Sequence, residues 1–259
     1  MPATVAVPHG TSAHIEGDSI TLGIGQLVQG LPYGGPWWSE PGGLQDQMLA
    51  AQGPATHGPI YGGVPQSGSS MCIAQGGSRL SIALGHNLSI QFTGHGVGGR
   101  TSAGFLADLV AGTSAVLAQS PSLLFLEFGT NDFGTGVDPT VFASNMAQSL
   151  DRIHVANPSC QIVVLSPPIC HETWTAVGPH LLDGLDTWGG IAQLQAVVAA
   201  RSSWCTFADV TTDGMLHEVA NNTPAPGADP FDSTIDSKHP TSAGKVRLGT
   251  STMKVLTFP

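Results

Sequence analysis

Lysine and arginine are scarce in this sequence. Its 259 residues include 8 lysines and arginines against 18 aspartates and glutamates, a formal net charge of −10. Proteins that bind nucleic acid or anionic membranes neutralise phosphate with clustered Lys and Arg side chains. The balance therefore argues against both classes of partner. Hydrophobic residues make up 41% of the chain and charged residues 10%, so the composition predicts a folded core rather than disorder.

Long apolar runs are absent as well. None reaches the roughly 18 residues that a membrane-spanning helix requires, so we expect no membrane span. Residues 1–10 lack the basic start and the apolar centre of a secretory signal peptide. A mature form from which such a peptide was removed would look the same. The compartment is therefore left open, with secretion slightly favoured, and the oligomeric state is left open too.

The cysteines lack the spacing of a metal site. Cys72, Cys160, Cys170 and Cys205 form no C-x-x-C pair, and no His-Glu-x-x-His occurs. Because zinc sites depend on such spacings, we expect no metal. The even number of cysteines permits two disulfides, and buried free thiols fit it equally well.

Regular segments alternate between strand and helix along the chain. Apolar segments predict strands at residues 13–16, 87–93, 123–128, 161–165 and 205–210. Helical spacing predicts helices at residues 44–52, 102–119, 139–155, 185–201 and 242–253. This alternation implies βαβ units and a parallel sheet covered on both faces. With no internal repeat or linker, we predict one three-layer α/β/α domain over residues 1–259.

Two long loops are expected to interrupt this pattern. Residues 20–43 and 53–85 are rich in Gly, Pro and Ser and fit neither helix nor strand. Loops of this length in a compact domain are usually functional. We therefore predict that both are insertions near the site.

Four short polar stretches follow predicted strands or lie in the last long loop. They are Gly17-Asp18-Ser19-Ile20, Gly96-Val97-Gly98-Gly99-Arg100-Thr101, Gly129-Thr130-Asn131-Asp132 and Asp236-Ser237-Lys238-His239-Pro240. In an open α/β sheet, sites form at the carboxyl ends of the strands. We therefore expect all four stretches to face one crevice.

The first and last stretches carry the residue types of nucleophilic catalysis. Ser19 is the candidate nucleophile, His239 the base that takes its proton, and Asp236 the carboxylate that orients the imidazole. The Asp-x-x-His spacing lets one short turn hold both side chains. Taken alone, a Gly-Asp-Ser triplet is more often an ordinary turn. Asp213 and His217 are a competing pair, disfavoured by their wider spacing.

In this order, the four stretches resemble the sequence blocks of the SGNH (GDSL) esterase and lipase family. The resemblance covers about residues 13 to 244 and implies a flavodoxin-like parallel sheet of order 2-1-3-4-5. It implies ester hydrolysis through an acyl-enzyme, without a cofactor. It also implies an oxyanion hole formed by the backbone N–H groups of Ser19 and Gly99 and the side chain of Asn131. Arg100 departs from the pattern, since many members have aspartate there.

Two other functions fit parts of the sequence. Residues 94–99 satisfy G-x-G-x-x-G, the glycine pattern of a dinucleotide site. However, the acidic residue expected about 20 positions later is missing, and the pattern follows the second strand rather than the first. The other alternative is a non-catalytic binding module of the same fold. The complete set of Ser19, Asp236 and His239 argues against it, and no G-x-S-x-G elbow of an ordinary α/β-hydrolase occurs.

Glu127 is a carboxylate inside an otherwise apolar predicted strand. Burying it without a partner would cost several kcal/mol, so we expect it to be paired or protonated. Arg100 is the expected partner, because its stretch follows a strand two places away in the sheet. The alternative is an outward-facing Glu127 at the wet end of the strand.

The predicted insertions suggest the substrate. They carry Trp37, Trp38, Tyr33 and Tyr61 among many Gly, Ser and Gln residues, with almost no positive charge. Aromatic faces with amide and hydroxyl groups suit a neutral, hydroxyl-rich ligand, and Trp37 and Trp38 are the candidate binding residues. The alternative is that both tryptophans merely pack the loops onto the sheet. We therefore expect a short-acyl esterase acting on acetyl groups of carbohydrate, with a general carboxylesterase, lipase or thioesterase as the alternative.

Overall fold

A computed structural model of the chain describes residues 4–8, 11–22, 43–51, 71–76, 91–168, 188–210 and 242–258. The strands in these ranges are β1 (Val5–Ala6), β2 (Ser12–Gly17), β3 (Met71–Gly76), β4 (Gln91–Val97), β5 (Leu123–Glu127), β6 (Gln161–Leu165), β7 (Cys205–Ala208) and β8 (Leu256–Thr257). The helices are α1 (Ser19–Leu22), α2 (Leu44–Ala51), α3 (Ser102–Ala111), α4 (Ala115–Gln119), α5 (Thr130–Gly134), α6 (Pro139–Ala156), α7 (Gly190–Ala199) and α8 (Ser242–Met253).

The main sheet has the strand order β3-β4-β2-β5-β6-β7. All neighbours are parallel except β3 and β4, which are antiparallel. The five parallel strands confirm the predicted order 2-1-3-4-5, with β2 in the interior between β4 and β5. A separate parallel pair joins β1 to β8, so the two ends of the described chain lie together.

Alternating residues of the strands bury two separate cores. On one face, Ile15 and Phe125 pack in a cluster with residues of α2, α8 and the β1–β8 pair. On the other face, Leu124 and Leu126 pack in a cluster with residues of α3, α6 and α7. Because consecutive side chains of a strand point to opposite faces, the apolar run of β5 supplies both clusters. The predicted three-layer α/β/α fold is confirmed.

Helix ends follow local sequence signals. α6 begins as predicted, with the Asp138 carboxylate accepting from the backbone N–H of Thr140 at 2.8 Å and Pro139 at the first helical position. The predicted helix 102–119 is instead two helices. Gly112 ends α3 in the left-handed conformation, with φ of +70°, and the chain restarts as α4 at Ala115.

Three segments differ from the predictions along β4 and the loops. The second parallel strand was expected at 87–93 but is Gln91–Val97, so the strand runs into the glycine-rich stretch. Gly94, His95 and Gly96 do not fit a strand pattern, and pairing with β2 and β3 overrides that local preference. The predicted insertion 53–85 contains β3, and the predicted loop 20–43 starts inside α1. Apart from Gly43, the rest of both loops lies outside the described residues.

The cysteines that the structure describes are inert. Cys160 and Cys205 are free and buried, and burial raises the pKa of each thiol to about 12. A thiol held in this neutral form is a poor nucleophile. The side chains of Cys72 and Cys170 lie outside the described residues. In the same described part of the chain, no helix combines the length and the apolar character needed to cross a membrane.

Gly17, the last residue of β2, has no room for a side chain. A Cβ placed there would lie 2.8 Å from the carbonyl oxygen of Glu127 and would collide with the Thr21 hydroxyl. We expect Gly17→Ala to lower the free energy of unfolding by about 1 to 3 kcal/mol, because the β2–β5 pair would have to shift. Urea denaturation followed by circular dichroism measures the change.

Gly104 provides the matched control for this substitution. It lies inside α3, and a Cβ there would meet its nearest neighbour, Cγ of Arg100, at an ordinary 3.6 Å. Gly104→Ala should leave stability unchanged or raise it by up to about 1 kcal/mol, since alanine favours a helix. Equal effects of the two substitutions would contradict the steric argument for Gly17.

Candidate active site

Three of the four predicted stretches meet at the carboxyl ends of neighbouring strands. Ser19 follows β2, Gly99 follows β4 and Asn131 follows β5, and these strands are adjacent in the sheet. The shared edge predicted from the sequence is therefore present for these three. Asp236 and His239 lie outside the described residues, as do Trp37, Trp38, Asp213 and His217.

Ser19 is the first residue of α1, and its turn is held from both ends. The Asp18 carboxylate accepts from the backbone N–H of Ile20 at 2.8 Å, which caps the short helix. The Thr21 hydroxyl donates to the Glu127 carboxylate at 2.5 Å, which ties α1 to the end of β5. Ser19 itself is 9% exposed. Its position is thus set by contacts of the residues on either side of it.

Asn131 lies between this turn and the loop after β4. Its side-chain N–H groups face two acceptors, the Asp18 carboxylate at 2.9 Å and the backbone carbonyl of Arg100 at 3.2 Å. An amide nitrogen carries two hydrogens, so both can be engaged in this arrangement. A third acceptor near this nitrogen would have to displace one of the two, and the longer contact to Arg100 is the easier one to exchange.

The loop after β4 is a tight turn with Gly99 at its tip. The backbone N–H of Arg100 donates to the carbonyl of Val97 at 3.1 Å and closes the turn. Gly99 is exposed and has φ of +73°, a conformation that side chains other than glycine rarely adopt. The glycine is therefore required here by backbone geometry.

The same geometry weighs against a dinucleotide site. Gly94 and Gly96, the first two glycines of the G-x-G-x-x-G pattern, lie inside β4 and pair with β2 and β3 on both sides. A dinucleotide fingerprint instead needs its first glycines in a turn that leads into a helix. The pattern therefore marks the end of a strand.

Glu16 is the residue of this region that the sequence analysis missed. It is fully buried, and its carboxylate accepts from His14 Nε2 at 3.0 Å, from His95 Nδ1 at 2.7 Å and from the guanidinium of Arg100. A carboxylate only accepts, so the two ring nitrogens that face it are assigned as N–H. His14 and Glu16 occupy alternate positions of one strand, and that spacing was the available signal.

The ionised form of Glu16 is the stable one in this setting. Burial alone would raise the pKa of its carboxyl, but the hydrogen bonds from His14 and His95 and the electrostatic attraction of these residues outweigh burial. The pKa of Glu16 is lowered from 4.5 to about 2. Three donors around two oxygens are the reason a fully buried carboxylate can keep its charge.

The expected partner of Glu127 was wrong. Arg100 forms its ion pairs with Glu16 and Asp108, and Glu127 accepts from the Thr21 hydroxyl. In the sheet register Glu127 lies opposite Gly17, whereas Glu16 lies opposite Leu126. Adjacent residues of a strand point to opposite faces, so Glu127 and Arg100 are on different sides of the sheet. An outward-facing Glu127 is also wrong, since it is 1% exposed.

Asp132 links α5, the helix that contains Asn131, to α3. Its carboxylate accepts from the backbone N–H of Ser102 at 2.9 Å and from the Ser102 hydroxyl at 2.6 Å. Burial raises the pKa of Asp132, and these hydrogen bonds oppose that rise. The contacts fix the start of α3 against α5.

No metal centre is formed by the described residues. Among them, no group of three or more His, Cys, Asp or Glu side chains is arranged to hold an ion. Instead, one ring nitrogen of His14 and one of His95 form hydrogen bonds to the Glu16 carboxylate.

Known hydrolases resemble the chain in sequence and in fold. The model of the GDSL-like Lipase/Acylhydrolase family matches residues 16–247. No curated protein matches the chain. One similar solved structure is a lipase/acylhydrolase from Enterococcus faecalis, with a TM-score of 0.58, 17% identity and 94% coverage of both chains.

Two further similar structures are named as carbohydrate esterases. A family 3 carbohydrate esterase from Clostridium thermocellum has a TM-score of 0.56 and 15% identity, with 95% of this chain and 94% of that chain covered. A catalytic mutant of an acetylxylan esterase from Geobacillus stearothermophilus has a TM-score of 0.53 and 17% identity, with 96% and 94% covered. At these identities the likeness shows a shared fold.

Proposed function

The chain belongs to the GDSL-like Lipase/Acylhydrolase family, and from that premise we propose that it is a serine ester hydrolase with Ser19 as its nucleophile. The observation that carries the proposal is the junction at the strand ends. There, Asp18 binds the side-chain amide of Asn131, and the same amide reaches the carbonyl of Arg100, the residue after Gly99. These contacts support the proposal because they join the stretch that contains Ser19 to the two stretches that carry Gly99 and Asn131.

The proposed reaction passes through an acyl-enzyme. Ser19 Oγ attacks the carbonyl carbon of the ester while His239 takes the hydroxyl proton, and Asp236 stabilises the imidazolium. When the tetrahedral intermediate collapses, the C–O bond to the alcohol breaks and His239 returns its proton to the leaving oxygen. Water then attacks the acyl-enzyme with His239 again as base, which releases the acid and restores Ser19.

Three donors are proposed to bind the oxyanion. Two are the backbone N–H groups of Gly99, at the tip of the exposed turn, and of Ser19, the first residue of α1. The third is Asn131, whose contact to the Arg100 carbonyl would give way to the oxyanion. Each such donor is typically worth about 3 kcal/mol of transition-state stabilisation.

The nucleophile is tested by Ser19→Ala. We expect hydrolysis of p-nitrophenyl acetate to fall by at least about 10³-fold, because the other hydroxyl of this turn, that of Thr21, is bound to Glu127. The matched control is Ser149→Ala, a fully buried serine of α6 that should leave activity unchanged. Activity of Ser19→Ala within a few-fold of wild type would refute the assignment of Ser19.

For the substrate, we propose a short acyl group, in particular acetyl groups on carbohydrate. Two structures of the same fold are named as esterases of acetylated xylan or carbohydrate, which supports this class. The neutral aromatic and amide residues of the segments around Trp37 and Trp38 also support it. A general carboxylesterase is the second candidate, and a lipase or thioesterase of the same family is the third.

A series of p-nitrophenyl esters tests the acyl side. We expect kcat/KM to be highest for the acetyl or propionyl ester and to fall steadily with longer chains, because a pocket built for a small acyl group excludes longer ones. Release of acetate from acetylated xylan then separates a carbohydrate esterase from a general carboxylesterase. A maximum of kcat/KM at eight or more carbons would contradict the short-acyl proposal.

A further inference from the structure

Arg100 connects two parts of the molecule through its side chain and its backbone. The guanidinium lies inside the protein, where it pairs with Glu16 and Asp108. The guanidinium also lies over two aromatic rings. Its central carbon, Cζ, is 5.1 Å from the ring centroid of Phe105 and 5.9 Å from that of Phe128. The side chain is thus held by charge on two sides and by aromatic faces on others.

The backbone of the same residue belongs to the site. The N–H of Arg100 closes the turn that carries Gly99, and its carbonyl accepts from the Asn131 amide at 3.2 Å. Any displacement of Arg100 would therefore move Gly99 and Asn131, the two candidate oxyanion donors other than Ser19.

Glu16, the other member of this ion pair, is close in the chain to Ser19, the proposed nucleophile. It precedes Ser19 by three residues on β2, the strand between β4 and β5. His14 and His95 fix its carboxylate by hydrogen bonds from β2 and β4. The anchor for Arg100 is consequently part of the same rigid strand that ends at Ser19.

A buried ion pair of this kind contributes little to the free energy of unfolding. Removing two charges from water costs about as much as their attraction returns, so a well-packed neutral pair is often equally stable. What the pair does provide is geometry, since a planar guanidinium has a fixed fork that can bind two carboxylates at once. The exposed pair of Arg201 with Asp151, at 2.7 Å, has no such link to the site.

We propose that the Glu16–Arg100 ion pair is a positioning device that sets Gly99 and Asn131 at the correct distance from Ser19. The proposal rests on the proposed ester hydrolysis and adds Glu16 and Arg100 to it as positioning residues. Neither contacts the reacting atoms. Their effect on the reaction passes through the turn at Gly99 and through the carbonyl that holds Asn131.

Two variants separate positioning from folding. Arg100→Lys keeps the charge but replaces the fork with a single ammonium group, which cannot satisfy both Glu16 and Asp108 in the same geometry. The double variant Glu16→Gln with Arg100→Met removes both members of the pair together, so neither Glu16 nor Arg100 is left as a buried charge without the other. Arg201→Lys is the matched control, because it changes an arginine ion pair remote from the site.

The experiment measures three quantities on folded protein. They are kcat and KM for p-nitrophenyl acetate, and the inhibition constant of a short alkyl trifluoromethyl ketone. Ser19 Oγ adds to the ketone carbonyl to give a tetrahedral adduct whose oxygen occupies the oxyanion site. We expect both Arg100 variants to lower kcat by about 10- to 100-fold with KM within about threefold of wild type. The inhibition constant should rise by a factor similar to the loss in kcat/KM, while Arg201→Lys should change none of the three.

The outcomes distinguish this proposal from the one on which it rests. A wild-type protein that hydrolyses none of the esters would overturn the proposed function and the positioning role with it. An active wild type whose folded Arg100 variants keep kcat within about twofold would overturn the positioning role alone. A rise in KM at constant kcat would also overturn it, because the pair would then serve substrate binding.

Discussion

A single buried negative charge is the constraint on which the site region depends. Glu16 is fully buried in the middle of the sheet, and its two oxygens must be satisfied there because water cannot reach them. The donors that satisfy it come from β2, from β4 and from the loop that follows β4. The same residues thereby bring together the strand before Ser19 and the turn that carries Gly99.

A second buried carboxylate acts on the opposite face of the sheet. Glu127 accepts from the Thr21 hydroxyl, and its backbone packs against Gly17 so closely that no side chain fits there. Glu16 and Glu127 thus lie on opposite faces of the sheet, near the end of β2 that leads into Ser19. Glu16 binds Arg100 from the loop after β4, and Glu127 binds Thr21 from α1. This arrangement explains how Ser19, the proposed nucleophile, can be held firmly on a short helical turn without a long helix behind it.

The sequence predicted the features that depend on local pattern. The apolar runs of β5 and β6 and the Asp138-Pro139 start of α6 were located correctly, as was the meeting of Ser19, Gly99 and Asn131 at one sheet edge. The features that it missed depend on pairing between distant strands. β4 was misplaced because Gly94, His95 and Gly96 gain a strand conformation only from pairing with β2 and β3. The pairing of Glu127 with Arg100 failed because the register puts them on opposite faces.

The ionisation of Glu16 is the most direct test of this account. Its folded-state pKa of about 2 lies below the ordinary 4.5, so the ionised carboxylate contributes stability that is complete above the ordinary value and is lost as the pH falls toward the lowered one. The measurement is an NMR titration of the carboxyl carbons of carbon-13-labelled glutamates, with the Glu16 signal assigned by its loss in Glu16→Gln. We expect that signal to stay unchanged from about pH 7 to about pH 3. A midpoint near the ordinary value would show that Glu16 is not the charged centre of the site.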